Sequence, residues 1–398
     1  MTGMKCYIIL VILDELGYRA LTNKLTFAVN LVFAHLATYV VPRNLTGLWN
    51  TGFITGVLFV LQMVTGFLLT FNYVPYHGLA FESLVKVLFD VNFGWAIRYL
   101  HAQGVSFIFM FLYIHVFKAM IYSVRYKMLS WLTGFLVYIL TMIVAFFGYT
   151  LPNGQMSYWG STVIINLFYY LESFTRLILG GYSVHTPTLQ RFYILHFVTP
   201  FIALFFIILH VYFLHKFSSS NPILYSPPVI LMRFYPTLIL SDFKMLTMVF
   251  ALLTAQLGYG VIPLFQGDHE NSVMADPLST PLHIYPEWYL LFFYSMLKLC
   301  PNKIAGIMLM IYVVVVTYQL CTGYHFAQYT HHYVPSRTWF EGFTLVVPSI
   351  ICIGYLGYYD FNEVTLVASG VILKVFYSGI TKFVGSKAYS AIPKKEKK

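Results

Sequence analysis

Apolar residues in this chain come in long unbroken runs rather than in alternation. Stretches of this kind lie at 49–73, 93–122, 131–151, 192–215, 244–264, 304–323, 339–358 and 364–384. A helix rises about 1.5 Å per residue, so about 20 residues cross the roughly 30 Å hydrocarbon core of a bilayer. The pattern predicts eight transmembrane helices and does not read as the short alternating strands of a membrane barrel. Residues 1–48 are mixed and read as a surface segment against the membrane. A polar loop with NGQMSYWGS leads to short apolar pieces near 162–180 that read as surface-lying. The Pro-rich connector NPILYSPPV follows the fourth span, and a long loop at 265–303 carries PEWY and PNK.

Composition strengthens this reading. Of 398 residues, 59% are hydrophobic and 10% charged, against about a quarter charged in a soluble domain; mean hydropathy is +0.73. The net charge of +10 does not point to nucleic acid, because the basic residues sit in interhelical loops and in the KKEKK tail, where they set topology. Lys118, Arg125, Lys127, Lys216, Arg233, Lys244, Arg337 and the tail fall on one side, with both termini. Glu82, Asp90, Glu172, Asp268, Glu270, Asp276, Glu287, Asp360 and Glu363 fall on the other. Both termini are therefore expected on the side where the chain is made. Cys6, Cys300, Cys321 and Cys352 form no CxxC or CxxCH pair, which argues against a zinc site or covalent haem attachment. The start, KCYIILVIL, is too short to span and lacks a small-residue cleavage site. The counts of 37 Phe and 33 Tyr fit a chain made inside an organelle.

The chemistry is carried by histidines inside the spans. His196 and His210 lie 14 residues apart in the fourth span, and His101 and His115 repeat that interval in the second. Fourteen steps fall about 40° short of four turns, so each pair leaves roughly one helix face, about 21 Å apart along the axis. Both helices start on the acidic side, which sets His101 level with His196 and His115 level with His210. Each level offers two neutral nitrogens, the axial ligands of a six-coordinate haem with no open site for oxygen. Glycines repeat the interval: Gly52 and Gly66 in the first span, Gly134 and Gly148 in the third. Lacking side chains, they let a large planar group approach the backbone. Gly52 and Gly134 should lie level with His115 and His210, and Gly66 and Gly148 with the other pair. A proton-relaying transporter or channel explains isolated membrane histidines but not matched pairs with matched glycines. A di-haem membrane anchor for a dehydrogenase shares the haems but lacks PEWY in the fifth-to-sixth loop.

The motifs RYLHAQG, GYTLPNGQMSYWGSTVI, the fourth span, MADPLSTPLHIYPEWY and PNK resemble those of mitochondrial cytochrome b, the core of ubiquinol–cytochrome c oxidoreductase, and follow that family's order over roughly residues 49–345. The interval in the fourth span resembles the respiratory form; the photosynthetic one is one residue longer. The resemblance implies an all-α membrane protein in three regions: a surface segment at 1–48, a four-helix di-haem bundle with quinone sites at 49–222, and a C-terminal four-helix region at 223–398. It implies two b-type haems, the low-potential one on His101 and His196 and the high-potential one on His115 and His210. Arg98 would pair with a propionate; Lys118 stands where the family usually has arginine.

By the same resemblance, Glu287 of PEWY accepts a proton from ubiquinol and Tyr294 lines that pocket. His215, Asp242 and, more weakly, Ser219 bind and protonate quinone on the opposite face. One electron leaves to a partner iron–sulfur protein; the other passes from the low- to the high-potential haem, and the proton movements generate a gradient. The implied partners are the Rieske protein, cytochrome c1 and membrane lipid in a dimeric complex of the mitochondrial inner membrane, with both termini on the matrix side. From the residues alone, PEWY also reads as a helix start with Pro first and Glu favoured by the dipole, His215 as an interfacial anchor, and Asp242 as the N-cap of the fifth span. Asn153 stands where the family commonly has tryptophan, and His185 and Ser241 replace acidic and basic residues.

Overall fold

Long apolar helices packed side by side make up most of the molecule. The computed structural model describes residues 39–122, 127–217, 219–222, 230–300, 302–319, 333–334, 337–359, 362–385 and 389–390. Most of the 1–48 segment, most of the Pro-rich connector, Arg125, Pro301 of PNK, Cys321, Asp360 and the basic tail lie outside the described residues, as do Cys6 and the short apolar run near it. The helices are α1 (Thr51–Thr70), α2 (Ala80–Asp90), α3 (Gly94–Tyr122), α4 (Met128–Thr150), α5 (Gln155–Asn166), α6 (Glu172–Leu179) and α7 (Thr186–Phe217). They continue with α8 (Ile239–Tyr259), α9 (Leu291–Lys298), α10 (Lys303–Gln319), α11 (Arg337–Leu356) and α12 (Glu363–Gly385).

Among the described residues, six helices are long and apolar enough to cross a membrane: α1, α3, α4, α7, α8 with its preceding turn (Phe234–Tyr259), and α12. Two shorter apolar helices, Lys303–Tyr318 and Phe340–Leu356, stand at the sixth and seventh expected spans. Large apolar side chains such as Val60, Val64, Phe67, Phe201, Phe205 and Ile208 point outward and stay exposed. That is the surface expected of helices bathed in lipid, which is as apolar as the side chains themselves.

Helix α1 packs along α3, and α4 along α7. Ile54, Leu58, Phe107, Ile108, Ala203, Val249 and Leu253 form one core that ties α1, α3 and α7 to α8. A second core, with Trp131, Phe292, Met296, Val313, Val346, Ile353 and Phe376, ties α9 to α12 against the bundle.

Four details depart from the sequence expectation. The 265–303 stretch is not all loop: α9 buries Leu291, Phe292, Ser295 and Met296. The fifth span begins earlier than 244 and stops at Gly260, which takes φ +60 and closes the helix in the left-handed conformation that glycine adopts without strain. Asp242 is therefore not an N-cap but lies inside the first turn of α8. Val40–Pro42 (β1) pairs antiparallel with Leu231–Arg233 (β2), so the end of the first segment is stitched to the chain before α8, with Val41 fully buried. The α2 helix, whose inner face buries Ala80 and Val87, is 11 residues long and too short to register as a span.

Candidate functional site

Two helix pairs, α1 with α3 and α4 with α7, face each other and meet at two depths through histidine rings. The centres of His101 and His196 are 6.0 Å apart with planes at 90°, and those of His115 and His210 are 6.1 Å apart at 71°. Two metal–imidazole bonds of about 2 Å each, plus the distance from nitrogen to ring centre on either side, span roughly this separation when the rings lie on opposite sides of one metal. Among the described residues no group of three or more His, Cys, Asp or Glu is placed to hold a metal ion. A metal at either level would find two protein nitrogens, the donor set of a porphyrin iron rather than of structural zinc.

Each glycine of the repeated interval backs one ring. A β-carbon on Gly52 would sit 2.9 Å from Cε1 of His115, on Gly66 2.8 Å from that of His101, on Gly134 2.8 Å from that of His210, and on Gly148 2.5 Å from that of His196. The planar group admitted closest to the helix backbone is thus the imidazole itself. By contrast, Gly56 on the same α1 has nothing within 4 Å of its β-carbon position.

Hydrogen bonds fix the ring tautomers. Nδ1 of His196 donates to the Val144 carbonyl (2.8 Å) and Nδ1 of His210 to the Ser130 carbonyl (2.7 Å). His101 and His115 place Nδ1 3.0 Å from Thr65 Oγ1 and 3.3 Å from Thr51 Oγ1. Those hydroxyls already donate their protons to the Leu61 and Leu48 carbonyls, so they accept from the rings. With the proton on Nδ1, Nε2 keeps its lone pair at all four histidines, and the second partner sets ring orientation. Sequence reasoning missed these threonines, although Thr-Gly recurs at 51–52, 65–66 and 133–134. Thr133 likewise lies 3.4 Å from His210 Nδ1.

Around His115 and His210 the helices enclose a cavity of about 730 Å³ that also reaches Gly52, Gly134, Lys118, His215, Ser219 and Asp242. Here the structure brings the cofactor residues and the second-face quinone candidates into one space. Asp242, 4% exposed, accepts a 2.6 Å hydrogen bond from Asn50 Nδ2, which also reaches Ser241 Oγ at 3.3 Å. Tyr39 stacks on His215 with centres 4.2 Å apart and planes at 10°, and its hydroxyl lies 3.0 Å from Ser219 Oγ. Neither Asn50 nor Tyr39 stood out in sequence, because their partners lie at least 176 positions away along the chain.

At the other level, Arg98 lies one turn before His101, within electrostatic reach of it and of Tyr73. Glu287 sits at the N-cap position of a short turn (Trp288–Leu290) and makes no side-chain cap bond. Burial, and secondarily the charge of Asp268, pushes its carboxyl up to about 7. Trp288 donates to Ser106 Oγ at 3.1 Å and stacks on Phe265; Tyr289 stacks on Phe109. Tyr294 donates to the Ile284 carbonyl at 2.6 Å, which pins the loop before Glu287. Asn153 takes φ +53, a conformation asparagine tolerates better than bulky residues. Its amide donates to the His77 carbonyl at 2.7 Å. His185 packs edge-on against His77, and burial together with that neighbour holds His77 below the ordinary histidine range.

These features define a multi-pass helical membrane protein with paired imidazoles at two depths. Residues 36–218 match the family described as Cytochrome b/b6/petB, and residues 274–378 match Cytochrome b(C-terminal)/b6/petD. The chain is 43% identical over 331 residues to a cytochrome b of Theileria parva, covering 82% of this chain and 90% of that one. It is 41% identical over 285 residues to that of Plasmodium falciparum (72% and 75% covered) and 40% over 295 residues to that of Rickettsia prowazekii (72% and 73%). A solved structure titled Hyperthermophilic respiratory Complex III superposes with a TM-score of 0.81 at 25% identity, covering 94% of this chain and 98% of the other. The chain belongs to the cytochrome b family. Membership implies b-type haem, and the glycine-backed, Nδ1-anchored imidazole pairs fit that group.

Proposed function

We propose that this chain is the di-haem electron-transfer subunit of a respiratory quinol–cytochrome c oxidoreductase. In this reading it spans the mitochondrial inner membrane eight times, with both termini on the matrix side, residues 49–222 forming the haem bundle and 223–398 the C-terminal region. It works beside a Rieske iron–sulfur protein and cytochrome c1 in a dimeric complex. The observation that carries the reading is the pair of 6 Å imidazole couples, each ring backed by a glycine; the likeness to a complex III structure supports the assembly.

His101 and His196 would hold the low-potential haem, and His115 and His210 the high-potential one. Arg98 and Lys118 would meet the carboxylates at the edge of each group, a charge-assisted contact that is strong out of water. When bound between these histidines, haem would supply reversible one-electron transfer. Glu287 takes the proton that leaves a quinol hydroxyl as the quinol is oxidised, since a carboxyl with a pKa of about 7 is poised to accept near neutral pH. Tyr294 keeps the loop before Glu287 in position. On the opposite face His215 and Asp242 donate protons to the oxygens of a quinone being reduced, Ser219 hydrogen-bonds it, and Asn50 holds Asp242 in place. Uptake there and release at Glu287 move charge across the membrane.

A reduced-minus-oxidised optical redox titration of the purified complex tests this, with His101→Leu and His115→Leu beside it. Two b-type components at distinct potentials are expected, each variant impairing one. A complex without haem overturns the reading and returns the histidines to proton relay or packing.

A further inference from the structure

A third pair of imidazoles meets where α1 has ended and α7 begins, outside the membrane-level pairs. His77 opens the turn before α2, and His185 directly precedes α7. Their ring centres are 4.9 Å apart with planes at 75°. Backbone hydrogen bonds hold both residues in place. The His77 amide donates to Thr186 Oγ1 at 3.2 Å, and its carbonyl accepts from Asn153 Nδ2 at 2.7 Å. The His185 carbonyl accepts from the Thr188 and Leu189 amides of α7, and its amide donates to Thr188 Oγ1 at 3.2 Å. Thr188 is fully buried and donates onward to the Leu179 carbonyl at 2.7 Å. His185 is exposed and His77 half-buried, so the pair opens to water. Burial and the neighbouring ring hold His77 below the ordinary histidine range, which keeps a nitrogen lone pair free at neutral pH.

A metal bonded to both imidazoles at about 2 Å lies about 3 Å from each ring centre, so centres 4.9 Å apart correspond to a nitrogen–metal–nitrogen angle of roughly 100–110°, near tetrahedral. The pairs at 6.0 and 6.1 Å inside the membrane correspond instead to ligands on opposite sides of one metal. We propose that His77 and His185 form a surface site for a divalent transition-metal ion of the zinc or copper class, which clamps the connection after α1 to the start of α7. Imidazole suits these ions. Among the described residues no third His, Cys, Asp or Glu completes the set, so water takes the remaining positions and the ion is exchangeable. The clamp reaches further than its two ligands. Asn153, which holds the His77 carbonyl, accepts on its own carbonyl from the Ala275 amide at 3.1 Å. A bound ion therefore stiffens the joint at which the connection after α1, the start of α5 and the chain leading to Glu287 are tied together. The site stands whether or not the haem and quinone roles above hold.

The test titrates the purified complex, stripped of loose metal by a chelator, with Zn²⁺ and with Cu²⁺. Wild type is compared with His77→Asn, His185→Asn and the double variant. Wild type should bind one more Zn²⁺ per chain than the double variant. Each single variant should weaken that binding by at least about tenfold, nearly as much as the double variant does, because the two rings serve one ion. Cu²⁺ at the site should show paramagnetic coupling to two ring nitrogens that the double variant lacks. Zn²⁺ should raise the unfolding temperature of the wild-type complex and leave that of the variants unmoved; matched unfolding temperatures without metal are the control for folding. If His77→Asn fails to accumulate, the exposed His185 carries the same test alone. Equal zinc stoichiometry and affinity in wild type and variants overturn the site. Independent losses in the two single variants overturn it too, since they would mean two separate one-imidazole contacts.

Discussion

Replacing Gly148 by alanine would set a methyl carbon 2.5 Å from Cε1, 3.0 Å from Nδ1 and 3.2 Å from Nε2 of His196. Ordinary contact begins at 3.4 Å, so ring and helix must part by 3.4 − 2.5 = 0.9 Å. The ring cannot yield freely, because its Nδ1 is tied to the Val144 carbonyl on the same helix as Gly148. Moving it either breaks that bond or turns Nε2 away from His101. Overpacking of this kind costs about 1–3 kcal/mol, roughly a 5- to 150-fold loss of haem affinity if it falls on the bound state. Haem per chain and the redox titration are the assays. Gly148→Ala should deplete the component assigned to His101 and His196 and spare the other; Gly134→Ala, at 2.8 Å from His210, should do the reverse. Gly56→Ala meets nothing within 4 Å and should leave both components intact while favouring α1 by up to about 1 kcal/mol. Full occupancy and unshifted potentials in Gly148→Ala would refute the glycine argument.

Further outcomes follow from the two quinone faces. Glu287→Gln should slow quinol oxidation by about 10²-fold or more. Asp268→Asn removes a negative charge that helps hold Glu287 near 7, so the rising limb of the pH–rate profile should move to lower pH; an unmoved limb excludes Glu287 as the titrating group. The same shift has a stability sign. The folded carboxyl binds its proton more tightly than the unfolded one, so this group's contribution is complete below about 4.5 and declines as pH rises through about 7. Thermal unfolding of Glu287→Gln should lack that decline. Tyr39→Phe keeps the stack on His215 but loses the Ser219 contact, a change of about 0.5–1.5 kcal/mol. Tyr39→Ala should raise the KM for quinone at that face further, and equal effects of the two variants would discount the stacking. Asn50→Ala strips the buried Asp242 of its 2.6 Å donor and should cost about 1–3 kcal/mol in the thermal stability of the complex; an unchanged melting temperature would show that water replaces the amide.

Much of this was legible in one dimension because a membrane restricts a chain to few solutions. Uninterrupted apolar runs become helices in lipid since every backbone group must bond internally, and six of the eight expected spans are long and apolar enough among the described residues. The 14-residue interval of histidines and glycines is written in the sequence, and helical periodicity translates it directly into two levels on one face. A charge run or a tetrapeptide carries less. Asp242 before FKML reads as an N-cap until the helix is seen to start at Ile239, and residues 291–298 read as loop until their apolar face is seen packed against α11 and α12.

Local repetition along the chain is enough to specify the helices, their apolar faces and the depth at which each histidine and glycine sits. Which groups meet across the chain is settled by packing. Tyr39 reaches His215, Asn50 reaches Asp242, Lys127 shares a cavity with Lys118, and Glu287 comes to lie beside Asp268 without capping its helix. No periodicity encodes those meetings, because they arise where helices distant in sequence pack together, and burial there sets whether a polar side chain is a solvated surface group or part of a site.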